Sequence, residues 1–208
     1  MDRKFLDLYT DYLISSFGKV TATGLSELLE GELSHDQITN RLRQCTGKSA
    51  ELWHLVKPTI RKYESEDGVL IFDDTLEPKP CSAENTIIGW YFDHSHNHSI
   101  KGINILNCIY NNQHISLPVA FEIVQKLQEV TEPKTGNVKF VSEETKNEMM
   151  RKMLYVCCQN RLQFSYVLTD SWFSSKENMQ YIKQRVTKDF IMALKSNRLA
   201  LCADTKSQ

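Results

Sequence analysis

The sequence predicts an α/β protein: a mixed β-sheet covered by helices and preceded by a small all-α N-terminal region. Three observations carry this. Apolar residues near the start (Phe5, Leu6, Leu8, Tyr9, Tyr12, Leu13 and Phe17) recur at three- and four-residue spacing, the period of a helix with one buried stripe. From Asp67-Gly68 onward the period changes to short apolar, β-branched or aromatic runs of strand length. Two of these runs, Val69-Leu70-Ile71-Phe72 and Tyr166-Val167-Leu168-Thr169, lie about a hundred residues apart, and each ends in aspartate followed closely by a hydroxyl residue. The reading divides the chain into a helical region over 1–66 and a sheet-containing region over 67–208.

Taken in order, the first helix stops near Gly18, and a second short one runs through Thr23 to Leu29 and ends near Gly31. Ser34-His35-Asp36-Gln37 is a capping box: the serine hydroxyl accepts from the third helical amide and the glutamine reaches back. The helix it opens carries Ile38 and Leu42 on its apolar side. Helix, glycine-containing turn and capped helix form a helix-turn-helix outline, with Asn40, Arg41, Arg43, Gln44 and Lys48 on the outer face. Those residues suit DNA contact. The same outline also describes a plain helical hairpin, because Glu27, Glu30, Glu32, Asp36 and Glu51 offset much of the positive charge. A further helix through Trp53, Leu55, Val56, Ile60 and Tyr63 is expected to pack on the sheet region.

Strands are expected at Val69–Phe72, Ile87–Phe92, Ile100–Tyr110 and Ile115–Ile123, the last two joined at the turn Asn111-Asn112-Gln113. Thr131 to Gly136 is polar and reads as a surface loop. Ser142 is the expected N-cap of the next helix, with Glu143 and Glu144 at its positive end and Met149, Met150, Met153, Leu154, Cys157 and Cys158 on its apolar face. The strand Phe164–Thr169 follows. Ser174 to Glu177 then reads as a second capping box opening a helix with Met179, Ile182 and Val186 inward, and Asp189–Leu194 as a last strand. The order fits a ribonuclease H-like sheet.

Bulk properties narrow the function. With 208 residues and a net charge of -1, the chain has no global electrostatic case for nucleic-acid binding, so any such case is local. The first residues mix Asp2, Arg3, Lys4, Asp7 and Asp11 with apolar positions and do not read as a secretory leader. No apolar run approaches the roughly 20 residues that span a bilayer, so no membrane association is expected. Cys45, Cys81, Cys108, Cys157, Cys158 and Cys202 show no metal-binding spacing and read as reduced thiols of a cytoplasmic protein.

The strand-end acids Asp73 and Asp170 are the candidate chemistry. Rigid strands can carry short carboxylates to a sheet edge, where two of them flank divalent metal. Magnesium takes a few carboxylates, with water and phosphate oxygens completing its shell. The alternative is structural, since strand-terminal aspartates also form turns and cap helices. Asp93-His94-Ser95-His96-Asn97-His98 alternates its imidazoles in a way that can chelate zinc or nickel, but reads more simply as a solvated loop.

Four segments taken together, Leu70 to Thr75 with Lys79 following, His98 to Asn104, Val167 to Phe173, and Phe190 to Arg198, resemble the DDE transposases of bacterial insertion sequences. The stretch from Thr23 through Arg41-Leu42 is similar to the leader of that group. The resemblance implies a ribonuclease H-like catalytic domain in which Asp73 (Asp74 as fallback) and Asp170 hold Mg or Mn, two ions in an intact member. Trp172 and Phe173 would pack behind Asp170. It further implies DNA at the element's ends as partner, bound through Arg41, Arg43 and Lys48, possible homodimerisation on that DNA, and strand cleavage and transfer as the reaction. The family's third acid, a glutamate on a later helix, has no counterpart after Arg198, so a truncated, catalytically incomplete domain is expected. Two other functions fit the residues: a DNA-binding remnant or regulator without catalysis, and a ribonuclease H-like nuclease that recruits Glu122 or Asp93.

Overall fold

The structure, a computed structural model, describes residues 3–44, 47–93, 96–131, 136 and 138–195. Cys45, His94, the Ser196-Asn197-Arg198 segment and the tail with Cys202 and Asp204 lie outside these, as does most of the expected loop after Thr131. Two compact units are present, Met1–Lys48 and Ser49–Gln208. The division falls ahead of the expected boundary at residue 66, because the helix Ser49–Tyr63 packs on the sheet.

The first unit holds α1 (Arg3–Ser15), α2 (Ala22–Leu28) and α3 (His35–Arg43). Phe5, Tyr12, Leu25 and Ile38 form its core, and Phe17, counted in the predicted stripe, is fully exposed past the end of α1. Tyr12 ties the unit together: its hydroxyl donates to the Thr21 carbonyl and accepts from the Thr21 N–H, both at 3.2 Å. The α2–α3 turn passes through Glu30 and Gly31, both with positive φ. The predicted capping box at Ser34 is present, with both reciprocal bonds to Gln37.

In the second unit α4 (Ser49–Tyr63) is followed by β1 (Val69–Pro78), β2 (Ile88–Asp93), β3 (His98–Asn111) and β4 (Ser116–Ile123). A small hairpin, β5 (Gln128–Thr131) and β6 (Val138–Val141), was not foreseen, since each strand is only four residues long. Then come α5 (Lys146–Gln159), β7 (Tyr166–Thr169), α6 (Lys176–Tyr181), which ends in a π-helical turn Ile182–Val186, and β8 (Asp189–Met192). The main sheet runs β2-β3-β1-β7-β8, with β4 also paired to β3. β1 is antiparallel to β3 and parallel to β7, which is parallel to β8. This is the mixed sheet of the ribonuclease H-like expectation.

β1 is longer than its apolar run because β3 supports it through Pro78, long after β7 has ended. Gly102 permits this: a Cβ there would collide with the Glu77 carbonyl. One sheet face (Leu70, Phe72, Leu106, Cys108, Tyr110, Val167) is sealed by Trp53 and Ile60 of α4 and by Met149, Met150, Met153, Leu154 and Cys157 of α5. Full burial of each such side chain contributes about 1.5–3 kcal/mol.

Two caps differ from expectation. α5 is capped by Thr145 in a reciprocal box with Glu148, not by Ser142, and α6 by Ser175, not Ser174. In each case a second hydroxyl or acid nearby offered a competing register, and packing of the apolar stripe selected the later one. Thr145→Ala should therefore lower unfolding stability by about 1 kcal/mol in chemical denaturation, and Ser142→Ala by less than about 0.5 kcal/mol.

Candidate active site at the sheet edge

The parallel strands β1, β7 and β8 all end at the same side of the sheet, where α/β proteins place ligands. In parallel register, neighbouring residues project to the same face. Phe72 and Thr169 form the last β1–β7 pair, and both side chains point into the core. The next residues, Asp73 and Asp170, therefore emerge side by side on the opposite face, where the two strands separate.

The electrostatics agree with that placement. Partial burial raises the Asp73 pKa above its ordinary value, and repulsion from Asp74 and Asp170 raises it further. A hydrogen bond from the Asp74 N–H at 2.8 Å and the nearby Lys146 act in the other direction. Asp170 Oδ1 accepts from the Trp172 N–H at 3.0 Å, a local turn bond of the kind strand-end aspartates make. Each carboxylate keeps further acceptor sites, since an ionised carboxyl has about four.

Asp74, the fallback for Asp73, points to the other face. Its Oδ2 accepts from Lys146 Nζ at 2.6 Å, at the start of α5, and from Asn104 Nδ2 at 2.8 Å, on β3. Asn104 is only 3% exposed, and its Oδ1 has no partner among the described residues. This ion pair joins α5 to β1 directly beside Asp73.

Behind Asp170 the expected pair of packed aromatics divides. Phe173 is fully buried, whereas Trp172 is 44% exposed. Two ammonium groups approach its indole, Lys195 Nζ at 4.4 Å and Lys146 Nζ at 5.9 Å from the ring centroid. The segment is pinned from beneath by Asn178, 0% exposed, whose Nδ2 donates to the Phe173 carbonyl and to Asn147 Oδ1, both at 2.8 Å, while its Oδ1 accepts from Arg151 at 2.6 Å. Sequence reasoning missed Lys146, Asn104 and Asn178, because polar residues on separate elements carry no periodic signal. The one hint was Asn178, a polar residue on the inward side of α6.

Of the proposed DNA contacts, Arg43 and Lys48 are exposed, and the Arg41 guanidinium lies 5.3 Å from the centre of the Phe5 ring. His96 Nδ1 is 2.8 Å from Asp93 Oδ2 in an exposed loop, and His96 and His98 have ring centroids 5.9 Å apart. Among the described residues no group of three or more His, Cys, Asp or Glu forms a metal cage, and no helix is long and apolar enough to cross a membrane.

The fold and its strand-end acids thus define an α/β domain of ribonuclease H-like type. The sequence matches the DDE superfamily endonuclease family over residues 1–207, and the chain belongs to that family. No curated protein matches. Among solved structures, the Mos1 transposase paired-end complex with left transposon end is 12% identical with a TM-score of 0.26, covering 89% of this chain and 57% of that one. A pre-cleavage Mos1 transpososome is 12% identical with a TM-score of 0.24, covering 89% and 58%. The chain thus spans under three-fifths of these Mos1 chains.

The raised Asp73 pKa has a signed consequence. A carboxyl whose folded pKa exceeds its unfolded value opposes folding when ionised, an effect present above the folded pKa and lost as pH falls below the unfolded one. In chelator at neutral pH, Asp73→Asn should melt above wild type, and the difference should fade below about pH 4, where wild type is also neutral. Melting temperatures across pH check this.

Proposed function

We propose that this chain is part of a DNA transposase of insertion-sequence type, whose reaction is metal-dependent cleavage and transfer of DNA strands and in which Asp73 and Asp170 supply two of the acids that hold divalent metal. The supporting observation is the adjacency of these two acids at the end of the β1–β7 pairing, in a chain of the DDE endonuclease family. Hard oxygen donors suit magnesium or manganese. The unfavourable charge between Asp73 and its neighbours is the kind a cation relieves. Asp73 and Asp170 would hold such metal, which would supply activation of the attacking oxygen and stabilisation of the leaving oxygen.

The chain's own residues do the positioning. β1 and β7 hold the two carboxylates rigidly, Lys146 and Asn104 keep Asp74 turned away, and Asn178 fixes the backbone after Asp170. Arg41, Arg43 and Lys48 on the helical unit contribute phosphate contacts to DNA, the electrostatic term that dominates such affinity. In this reading the substrate is the end of a mobile DNA element in a bacterial cytoplasm.

Thermal melting with magnesium or manganese tests the metal site. Wild type should rise in melting temperature with metal, and the Asp73→Ala/Asp170→Ala double variant should not. Any metal-dependent cleavage of element-end DNA should fall at least about a hundredfold in either single variant. Metal response and cleavage equal to wild type in the double variant would sink the assignment. Salt-dependent DNA binding should weaken in Arg43→Ala and Lys48→Ala, each reducing the salt slope by about one. DNA binding that is intact while metal response and cleavage are absent from wild type would instead favour a non-catalytic DNA-binding regulator.

A further inference from the structure

We infer that the cleft between β2 and the β5–β6 hairpin is a binding site for a small molecule with an apolar body and one carboxylate, which Lys126 holds. The cleft lies at the β2 edge of the main sheet, with β3 between it and β1, and its chemistry is independent of the strand-end acids.

The walls come from two separate sheets. Among the described residues β5 and β6 pair only with each other, so the hairpin faces β2 across a cavity of about 920 Å³, a volume within the range of small-ligand pockets. Val138 and Phe140 stand two residues apart on β6 and so share a face. With Trp90 of β2 and Leu127 they line the cleft, and each of the four is more than half exposed. Large apolar side chains gathered around one concavity, rather than scattered over the surface, mark a place that an apolar ligand covers.

One cation is set into this apolar lining. The Lys126 backbone is fixed by its N–H, which donates to the Thr86 carbonyl at 2.8 Å. Its stem lies across Gly89, where a Cβ would sit 3.2 Å from the Lys126 Cδ, so the glycine gives the stem its bed. Nζ donates to the Trp90 carbonyl at 2.6 Å and lies 4.1 Å from the centre of the Tyr91 ring. An ammonium has three donors, so two remain for a ligand.

The charges select the ligand's head group. Among the described residues Lys126 forms no ion pair. Partial burial lowers its pKa below the ordinary value, and the charge of Glu84 acts the other way. Glu84, the other ionisable side chain of the lining, is turned to Trp90, accepting from its Nε1 at 2.7 Å. A partly desolvated, fixed ammonium without a counterion gains most from a carboxylate, since charge-assisted hydrogen bonds are about twice as strong as neutral ones. A phosphate would meet the same donors, but the lining offers no second cation for its further charge.

The test is isothermal titration of the full chain with 4-phenylbutyrate, 4-phenylbutanamide and 4-phenylbutylamine, probes that share an apolar body and differ in the head group. Wild type should bind the carboxylate about 10- to 100-fold more tightly than the amide, the worth of a hydrogen bond to a charged group, and the amine more weakly still. Lys126→Gln should bind carboxylate and amide alike. Phe140→Ala, at an exposed position, should weaken both to a similar degree, and Gly89→Ala, which displaces the lysine stem, should narrow the preference. Backbone amide resonances of Gly89, Trp90 and Phe140 should shift when wild type takes up the carboxylate. Equal affinity of wild type for the three probes, an undiminished carboxylate preference in Lys126→Gln, or shifts confined to other residues overturns the carboxylate site. Tighter binding of the amine overturns it as well, and would mark Glu84 as the group that reads the ligand. Should Lys126→Gln fail to fold, the head-group preference of wild type and the mapped shifts decide.

Discussion

The parallel pairing of Val69–Phe72 with Tyr166–Thr169 is the constraint on which the rest of this molecule depends. Four residue pairs bring together two segments almost a hundred positions apart, and they do so in the register that sends Phe72 and Thr169 inward. A slip of one residue would invert both faces, exposing Leu70, Phe72 and Val167 and turning the acids toward the core. Burial of those side chains against α4 and α5 therefore enforces the adjacency of Asp73 and Asp170. Core packing and site geometry are the same fact seen from opposite faces of the sheet.

That adjacency is electrostatically unfavourable, and the surrounding structure compensates locally. Lys146 and Asn104 neutralise and orient Asp74, the least exposed of the three acids at this edge. Asp73 and Asp170 instead receive single backbone N–H donors, from Asp74 and Trp172, and keep acceptor capacity. The contrast separates an acid committed to structure from two that remain available. Below them, Asn178 and Arg151 link α5 to α6 through fully formed hydrogen bonds, so the loop carrying Asp170 and Trp172 is fastened from two helices. Such a network is costly when broken, because each buried group would lose its partner.

Elements with a strong local signal were legible in the sequence. The strand at Val69, the β3–β4 hairpin about Asn111 to Gln113, the apolar face of α5 and the capping box at Ser34 are all near their expected places, since period and capping chemistry act over a few residues. The short hairpin β5–β6 and the extension of β1 to Pro78 were not legible, because pairing with a partner strand, not composition, creates them. The caps of α5 and α6 moved to Thr145 and Ser175 because several hydroxyls competed and only packing chose among them.

Alone, the sequence determined that two strands would end in aspartate, that a helical unit would precede a mixed sheet, and, through its order of motifs, that the chain belongs with the DDE endonucleases. Tertiary structure decided which aspartate of the Asp73-Asp74 pair stands beside Asp170, that Trp172 faces solvent while Phe173 is buried, and that Lys146 and Lys195 meet at its ring. The physical reason is range. Periodicity and capping are set by neighbours along the chain, whereas the side a carboxylate faces and the charges it meets depend on strand register and helix docking between residues far apart in sequence.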